Sequence, residues 1–228
     1  MKVKWGAIVV AGRNKIGGHV ASRNRAGSYF RTKVTPVNPG TSYQINARNR
    51  LAALSTAWRA LTAAQRLAWN TAVPDYASTD IFGDLRNPSG FNLHQKLNNN
   101  LVNIGQSPIT APPLPEAVDA LATLSLAAAT GLQTVTITYT PAIAADHSII
   151  VFGTPAISPG ISFVKSEYRQ FDVMNAADVT PFSIEVEYIA KFGAVGAQDM
   201  QIFILMVQVN WNTGQAGIPQ AASCIIAA

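Results

Sequence analysis

The chain is poor in several of the features that chemistry and cross-linking need. It has one cysteine, Cys224, so it can build neither an intrachain disulfide nor a cysteine-based zinc site. Charged residues make up 13% of its 228 residues, against about 25% in ordinary soluble domains. Hydrophobic residues at 48% exclude a disordered chain, which needs low hydrophobicity and high charge. Thirteen prolines and 16 glycines are near normal usage, which excludes collagen-like and Pro-rich low-complexity readings. No apolar run approaches the roughly 18 residues of a spanning helix, and the best candidate, Ile202–Val209, is interrupted by Gln208. Lys2 and Lys4 precede the apolar run Trp5–Ala11, but Arg13, Asn14 and Lys15 follow at once. A short strand over Lys4–Val10 is therefore expected, not a secretory leader. So few charges point to surface that partners cover.

Acid is also missing where it would be expected. Met1–Pro74 holds 12 Lys and Arg and no Asp or Glu, whereas Asp75–Ala228 holds five Lys and Arg and all 12 acids. The net +5 is thus +12 in front and −7 behind. Such asymmetry suits a nucleic acid, an acidic protein partner, or front-to-back packing between copies of the chain.

The first 40 residues show no helical period. Gly12, Gly17, Gly18 and Gly27 allow bends, and Pro36 and Pro39 bias their surroundings to extended geometry. An extended basic arm or hairpin pair is expected there, too thin in large apolar residues to form a core alone. Helical signals begin at Thr41, which with Gln44 fits a capping box, and Leu51, Leu54, Trp58 and Leu61 make one stripe. Thr62 with Gln65 opens a second helix through Leu67, Trp69 and Val73, ended by Pro74. A third is expected from Ser89, with Leu93, Leu97, Leu101 and Ile104 on one face and Gly105 at its end. Its other face carries Asn98, Asn99, Asn100 and Asn103. The proline cluster of Gln106–Pro115 reads as a linker.

Beyond it the period changes to two. Gln133–Thr140 alternates Val135, Ile137 and Tyr139 against threonines. Further strands are expected at Ser148–Gly153, Phe163–Phe171, Phe182–Ile189, Gln201–Trp211 and Gln215–Ile226. About seven short strands in this length suit a two-sheet sandwich. VQVNWNTGQAG (Val207–Gly217) resembles the end of a fibronectin type III-like module.

Chemistry finds little footing. His19, His94 and His147 lie in three different segments, and the sequence has no HExxH, phosphate-binding glycine loop or GxSxG. Asp146 and His147 are adjacent in an expected loop after Pro141, and side chains one apart do not face each other well in a strand. Asp80, Asp84 and His94 have no recognised ligand spacing and read as surface residues, and Cys224 reads as a small buried hydrophobe. We expect no enzyme, no metal and no cofactor. The candidate partner-binding residues are Arg13, Lys15, Arg23, Arg25, Tyr29, Phe30, Arg31 and Lys33 in the arm, with Trp58 and Trp69 as an apolar docking face. Interleaved Arg and aromatic residues suit single-strand binding. They equally suit packing onto a neighbouring protein whose acids pair the arginines, and this is the reading carried forward.

Three strings carry a family resemblance: KIGGHVASRNRAGSYFRTKVTPVNP (Lys15–Pro39), AWRALTAAQRLAW (Ala57–Trp69) and DIFGDLRNPSGFNLHQKLN (Asp80–Asn98). Over roughly its first hundred residues the chain resembles uncharacterised proteins of tailed bacteriophages and prophages. The remainder resembles immunoglobulin-like or fibronectin-like modules of phage virions. The resemblance implies a virion structural protein, located in the virion. Its partners would be the major capsid protein or other virion proteins, and its own copies in a homo-oligomer, with no membrane. Nucleic acid is the alternative partner. A capsid cement or decoration role leads, with a neck or tail component as the rival. The expected fold is α+β: an extended basic arm or hairpin (1–40), a helical unit (41–105), a Pro-rich linker (106–116) and an all-β immunoglobulin/fibronectin type III-like sandwich (117–228).

Overall fold

The structure is a computed structural model that describes residues 2–3, 12–35, 37–38 and 40–228. The strand expected at Lys4–Val10 and the prolines Pro36 and Pro39 lie outside the described residues.

Among the described residues the front of the chain is a small antiparallel sheet, the hairpin alternative and not an extended arm. Strands β1 (Lys2–Val3), β2 (Asn14–Ile16), β3 (His19–Asn24) and β4 (Gly27–Thr32) are ordered β1-β4-β3-β2. Gly17 sits at φ 57° in the two-residue turn between β2 and β3, a conformation that glycine adopts without a Cβ penalty. At the tip of the β3–β4 hairpin, the Asn24 side chain accepts from the Ala26 amide (2.9 Å). Among the described residues of this sheet only Ala21 is buried, as its lack of large apolar residues foretold.

The helical unit holds α1 (Ser42–Ala60), α2 (Ala63–Thr71), a 3-10 turn at Val73–Tyr76 containing Pro74, a hairpin of β5 (Ser78–Thr79) and β6 (Leu85–Arg86), and α3 (Gly90–Asn103). Thr62 and Gln65 form the complete capping box. Thr41 forms half of one: its hydroxyl accepts from the Gln44 amide (3.3 Å), while the Gln44 Oε1 is buried without a partner among the described residues. Ser89 caps α3, and Gly105 follows it at φ 81°. Leu61, Trp69, Leu93 and Leu97 form the core. Leu51 and Leu67, expected on inward stripes, are 57% and 65% exposed. Their helices turn only part of each stripe toward α3.

Residues 106–116 have no regular structure, but they are strapped down. Trp69 Nε1 donates to the Thr110 carbonyl (2.9 Å), Tyr76 to that of Pro113 (2.9 Å) and Gln215 Nε2 to that of Leu114 (2.7 Å).

The C-terminal unit begins with β7 (Thr123–Ala129), whose Ala-rich sequence hid it from the strand pattern. It continues with β8 (Thr134–Thr140), β9 (His147–Gly153), β10 (Arg169–Met174), β11 (Phe182–Ser183), α4 (Glu185–Phe192), β12 (Gln201–Asn210) and β13 (Gln220–Ile225). They form two antiparallel sheets, β10-β9-β12-β13 and β11-β8-β7, which contribute Val135, Ile137, Tyr139, Ile149, Val151, Ile202 and Ile204 to one core. Two expectations are corrected. Phe182–Ile189 is not a strand: after Ser183 it becomes α4, because Ile184, Tyr188 and Phe192 repeat at four as well as Phe182 and Ile184 repeat at two. Phe163–Phe171 is likewise displaced, since the Glu167 amide bonds the Val164 carbonyl (2.9 Å) in a turn and the strand starts only at Arg169.

Candidate interaction surface

The residues singled out in the basic region lie on the N-terminal sheet and its flanks, divided between its two faces. Arg13, Lys15, Arg23, Arg25, Arg31 and Lys33 are all exposed, and none is in an ion pair among the described residues. Strand pairing sets Lys15 opposite Val20, Val20 opposite Arg31, and Tyr29 opposite Ser22 and Lys2. Side chains alternate along a strand, so Lys15, Tyr29 and Arg31 share one face, while Arg23 and Phe30 lie on the other. Tyr29 and Phe30 therefore cannot stack on one nucleic-acid strand together. Each face combines an aromatic ring with cations.

One basic residue of the sheet is anchored inward. Lys2 Nζ lies 4.0 Å from the Asp80 carboxylate, which also accepts from Arg86 Nε (3.2 Å) and from the amides of Phe82 (2.8 Å) and Asp84 (3.1 Å). Burial alone would raise the Asp80 pKa, but those two amides, the guanidinium and the Lys2 ammonium hold it below the usual carboxylate value. Asp80, expected at the surface, has a side chain only 1% exposed and staples the sheet to the β5–β6 hairpin. Between them runs a cleft of about 600 Å³ whose lining includes Arg25, Arg86 and Lys96 and no acid.

The tryptophans behave differently from expectation. Trp69 is fully buried, and Trp58 is half-buried against the same core. The Trp69 ring is therefore a core element and offers no docking face. Both rings meet His94 edge-on, with centroids at 5.3 Å from Trp58 and 5.2 Å from Trp69. His94 is thus enclosed, not on the surface as its spacing suggested, and burial lowers its pKa. Asp80, Asp84 and His94 do not gather: the Asp80 oxygens face the donors just named, and the His94 ring faces the tryptophans. Among the described residues no group of three or more His, Cys, Asp or Glu is placed to hold a metal ion, and no helix is long and apolar enough to cross a membrane.

Asp146 and His147 do meet, contrary to expectation: Nδ1 lies 2.7 Å from Oδ1, because Asp146 sits in the turn before β9 and its side chain can fold back. Hydrogen bonding to His147 lowers the Asp146 pKa. Cys224 packs against the C-terminal core, and burial pushes its thiol up to about 11.

A second charged surface escaped the sequence pattern. Asp172 on β10, Asp178 in the loop that follows, and Glu187 on α4 come near one another. Burial raises the Asp172 pKa, and the two other carboxylates raise it further against the Val173 amide that lowers it. Val179 and Val186, next in sequence to Asp178 and Glu187, are exposed. Residues 15 positions apart carry no periodic signature, so only the packing of α4 on β10 reveals the group. No family model matches the chain, and neither a curated protein nor a solved structure matches it.

Proposed function

We propose that the chain is a non-enzymatic structural protein of a tailed-bacteriophage virion, with a capsid cement or decoration role in which the basic N-terminal sheet docks onto neighbouring protein. The observation that carries the docking role is a sheet that, with its flanking residues, has six exposed cations without ion pairs and one buried residue, Ala21, among the described residues. A sheet so poor in core gains little by lying free in water. A partner that covers it supplies both apolar contact and counter-charge, and charge-assisted bonds to arginine are the strong ones. The virion assignment itself rests on the resemblance of the three N-terminal strings.

The two C-terminal sheets with their common core are read as the immunoglobulin- or fibronectin-like sandwich that the resemblance implies. The partners on this reading are the major capsid protein or another virion protein, together with other copies of the chain. Placing Tyr29 and Phe30 on opposite faces favours protein over single-stranded nucleic acid as the partner of the sheet.

Quantitative mass spectrometry of purified virions tests the assignment. A copy number near that of the major capsid protein is the expected result. A small number matching a ring would move the protein to the neck or tail, and absence from the particle would overturn the virion reading.

A further inference from the structure

We propose that two clefts flanking α3 take an extended acidic segment of a partner protein, which lies across the helix at Lys96. One is the cleft of about 600 Å³ between the β3–β4 tip and the start of α3, with Arg25, Arg86 and Lys96 in its wall. The other, of about 690 Å³, lies between α1 and α3 and holds Arg50 and Lys96. Asn92 and Lys96, about one helical turn apart, line both, so the clefts meet on an exposed ridge of α3. Neither has an acid in its wall among the described residues. This site is independent of the virion assignment and of which face of the sheet docks.

Charge decides the class of occupant. Arg25, Arg50 and Lys96 make no ion pair among the described residues, whereas Arg86 is held by Asp80 (3.2 Å) and Asp84 (3.6 Å). Three cations thus share adjoining clefts without a counter-charge, and carboxylates brought by an occupant supply it through charge-assisted bonds. Two further features select a peptide over a nucleic acid. Exposed leucines stand in the same walls, Leu85 (69%) in the first cleft and Leu51 (57%) in the second, and they suit apolar side chains set between carboxylates. Gln95, 9% exposed in the wall of the second cleft, donates from Nε2 to Ser55 Oγ (3.2 Å), while its Oε1 has no partner among the described residues. A peptide backbone carries N–H donors for such an acceptor, and a phosphate backbone carries none. Crossing α3, about 10 Å wide with its side chains, takes at least about three extended residues.

Fluorescence anisotropy of the full chain with a fluorescein-labelled peptide, Asp-Leu-Asp-Gly-Asp-Leu-Asp, tests this. The expected result is saturable binding at about 50 mM salt that weakens about tenfold or more at about 500 mM. At about 150 mM salt, Arg25→Glu with Lys96→Glu should weaken binding about tenfold or more. Arg23→Glu with Arg31→Glu makes the same change in charge outside both clefts, and screening should keep its affinity within about twofold of wild type. These side chains are exposed and make no ion pair among the described residues, so both variants should fold, as thermal unfolding checks. Should the first fail, Lys96→Gln alone replaces it, with an expected loss of about threefold.

No binding at low salt, or equal weakening by the two double variants, would overturn the proposal. So would a labelled oligothymidylate heptamer that binds more tightly than the peptide and loses affinity in the Lys96 variant, which would make nucleic acid the occupant. Self-association of the chain that the Lys96 variant abolishes would overturn it in favour of a second copy. Peptide binding by a protein absent from virions overturns the virion assignment alone, and a virion protein that binds no peptide overturns this proposal alone.

Discussion

Asn98 holds Ile109 by both of its backbone groups: the Ile109 amide donates to Asn98 Oδ1 (2.6 Å), and Asn98 Nδ2 donates to the Ile109 carbonyl (3.2 Å). Asn98 is fully buried on α3, so neither bond has water as a substitute. This pair, with the Trp69 and Tyr76 bonds, makes the proline-rich segment a strap over the helical core. Asn98→Ala leaves two backbone groups unpaired and should cost about 2–4 kcal/mol in chemical denaturation. Asn98→Asp keeps the acceptor but sets an oxygen against the Ile109 carbonyl, so it too should destabilise. Unfolding midpoints equal to wild type for both would show that the strap does not support the fold.

Gly214 joins the helical and β units. At φ 68°, a Cβ there would lie 2.3 Å from the Leu97 carbonyl oxygen, and the Gly214 carbonyl accepts from Asn100 Nδ2 (2.9 Å). Gly214→Ala adds backbone strain to a collision with α3 and should cost about 2–4 kcal/mol. Gly160→Ala, at φ 89° with open space around its Cβ, bears strain alone and should cost about 1–2 kcal/mol. Denaturant titration of both variants checks the difference.

His94 makes stability depend on pH. His94 is 1% exposed, its Nδ1 has no partner among the described residues, and burial holds its pKa below 6.5. The unfolded chain takes up the proton near its ordinary pKa while the folded chain resists. The contribution is therefore complete above pH 6.5 and is lost as pH falls through that value toward the folded pKa. His94→Phe, which keeps an aromatic ring between Trp58 and Trp69, should flatten the loss of unfolding free energy between about pH 7 and pH 5. An unchanged slope would move the origin of that pH dependence to other groups.

Cys224 should be slow toward alkylating reagents. With the thiol pushed up to about 11, thiolate at pH 8 is about one part in a thousand, and iodoacetamide modification should run about 100-fold slower than in the urea-unfolded chain. Equal rates by mass spectrometry in the two states would place the thiol in open solvent.

The local signals were legible where one short segment decides the outcome. The Thr62–Gln65 capping box, the helix start at Ser89 and the glycine after α3 are set by nearby residues, and the structure has them as read. Segments whose pattern satisfied two periods were not legible: Ile184–Phe192 alternates and also repeats at four, and only its docking on β10 and β8 selects the helix. The basic candidates Arg13–Lys33 were found from composition, but their division between two faces needed strand register. The acidic surface of Asp172, Asp178 and Glu187 had no local trace.

Sequence by itself determined the basic front and acidic rear, the helical caps, the strand-rich second half and the poverty of core in the first 40 residues. These depend on residue type and near spacing. Tertiary structure decided that Trp69 and His94 turn inward, that the asparagines of α3 bind the strap and the β unit, and that Asp80 becomes an anchor for Lys2. Each of those outcomes pairs residues from separate segments, and burial of a polar group is settled only by the partner that packing brings to it.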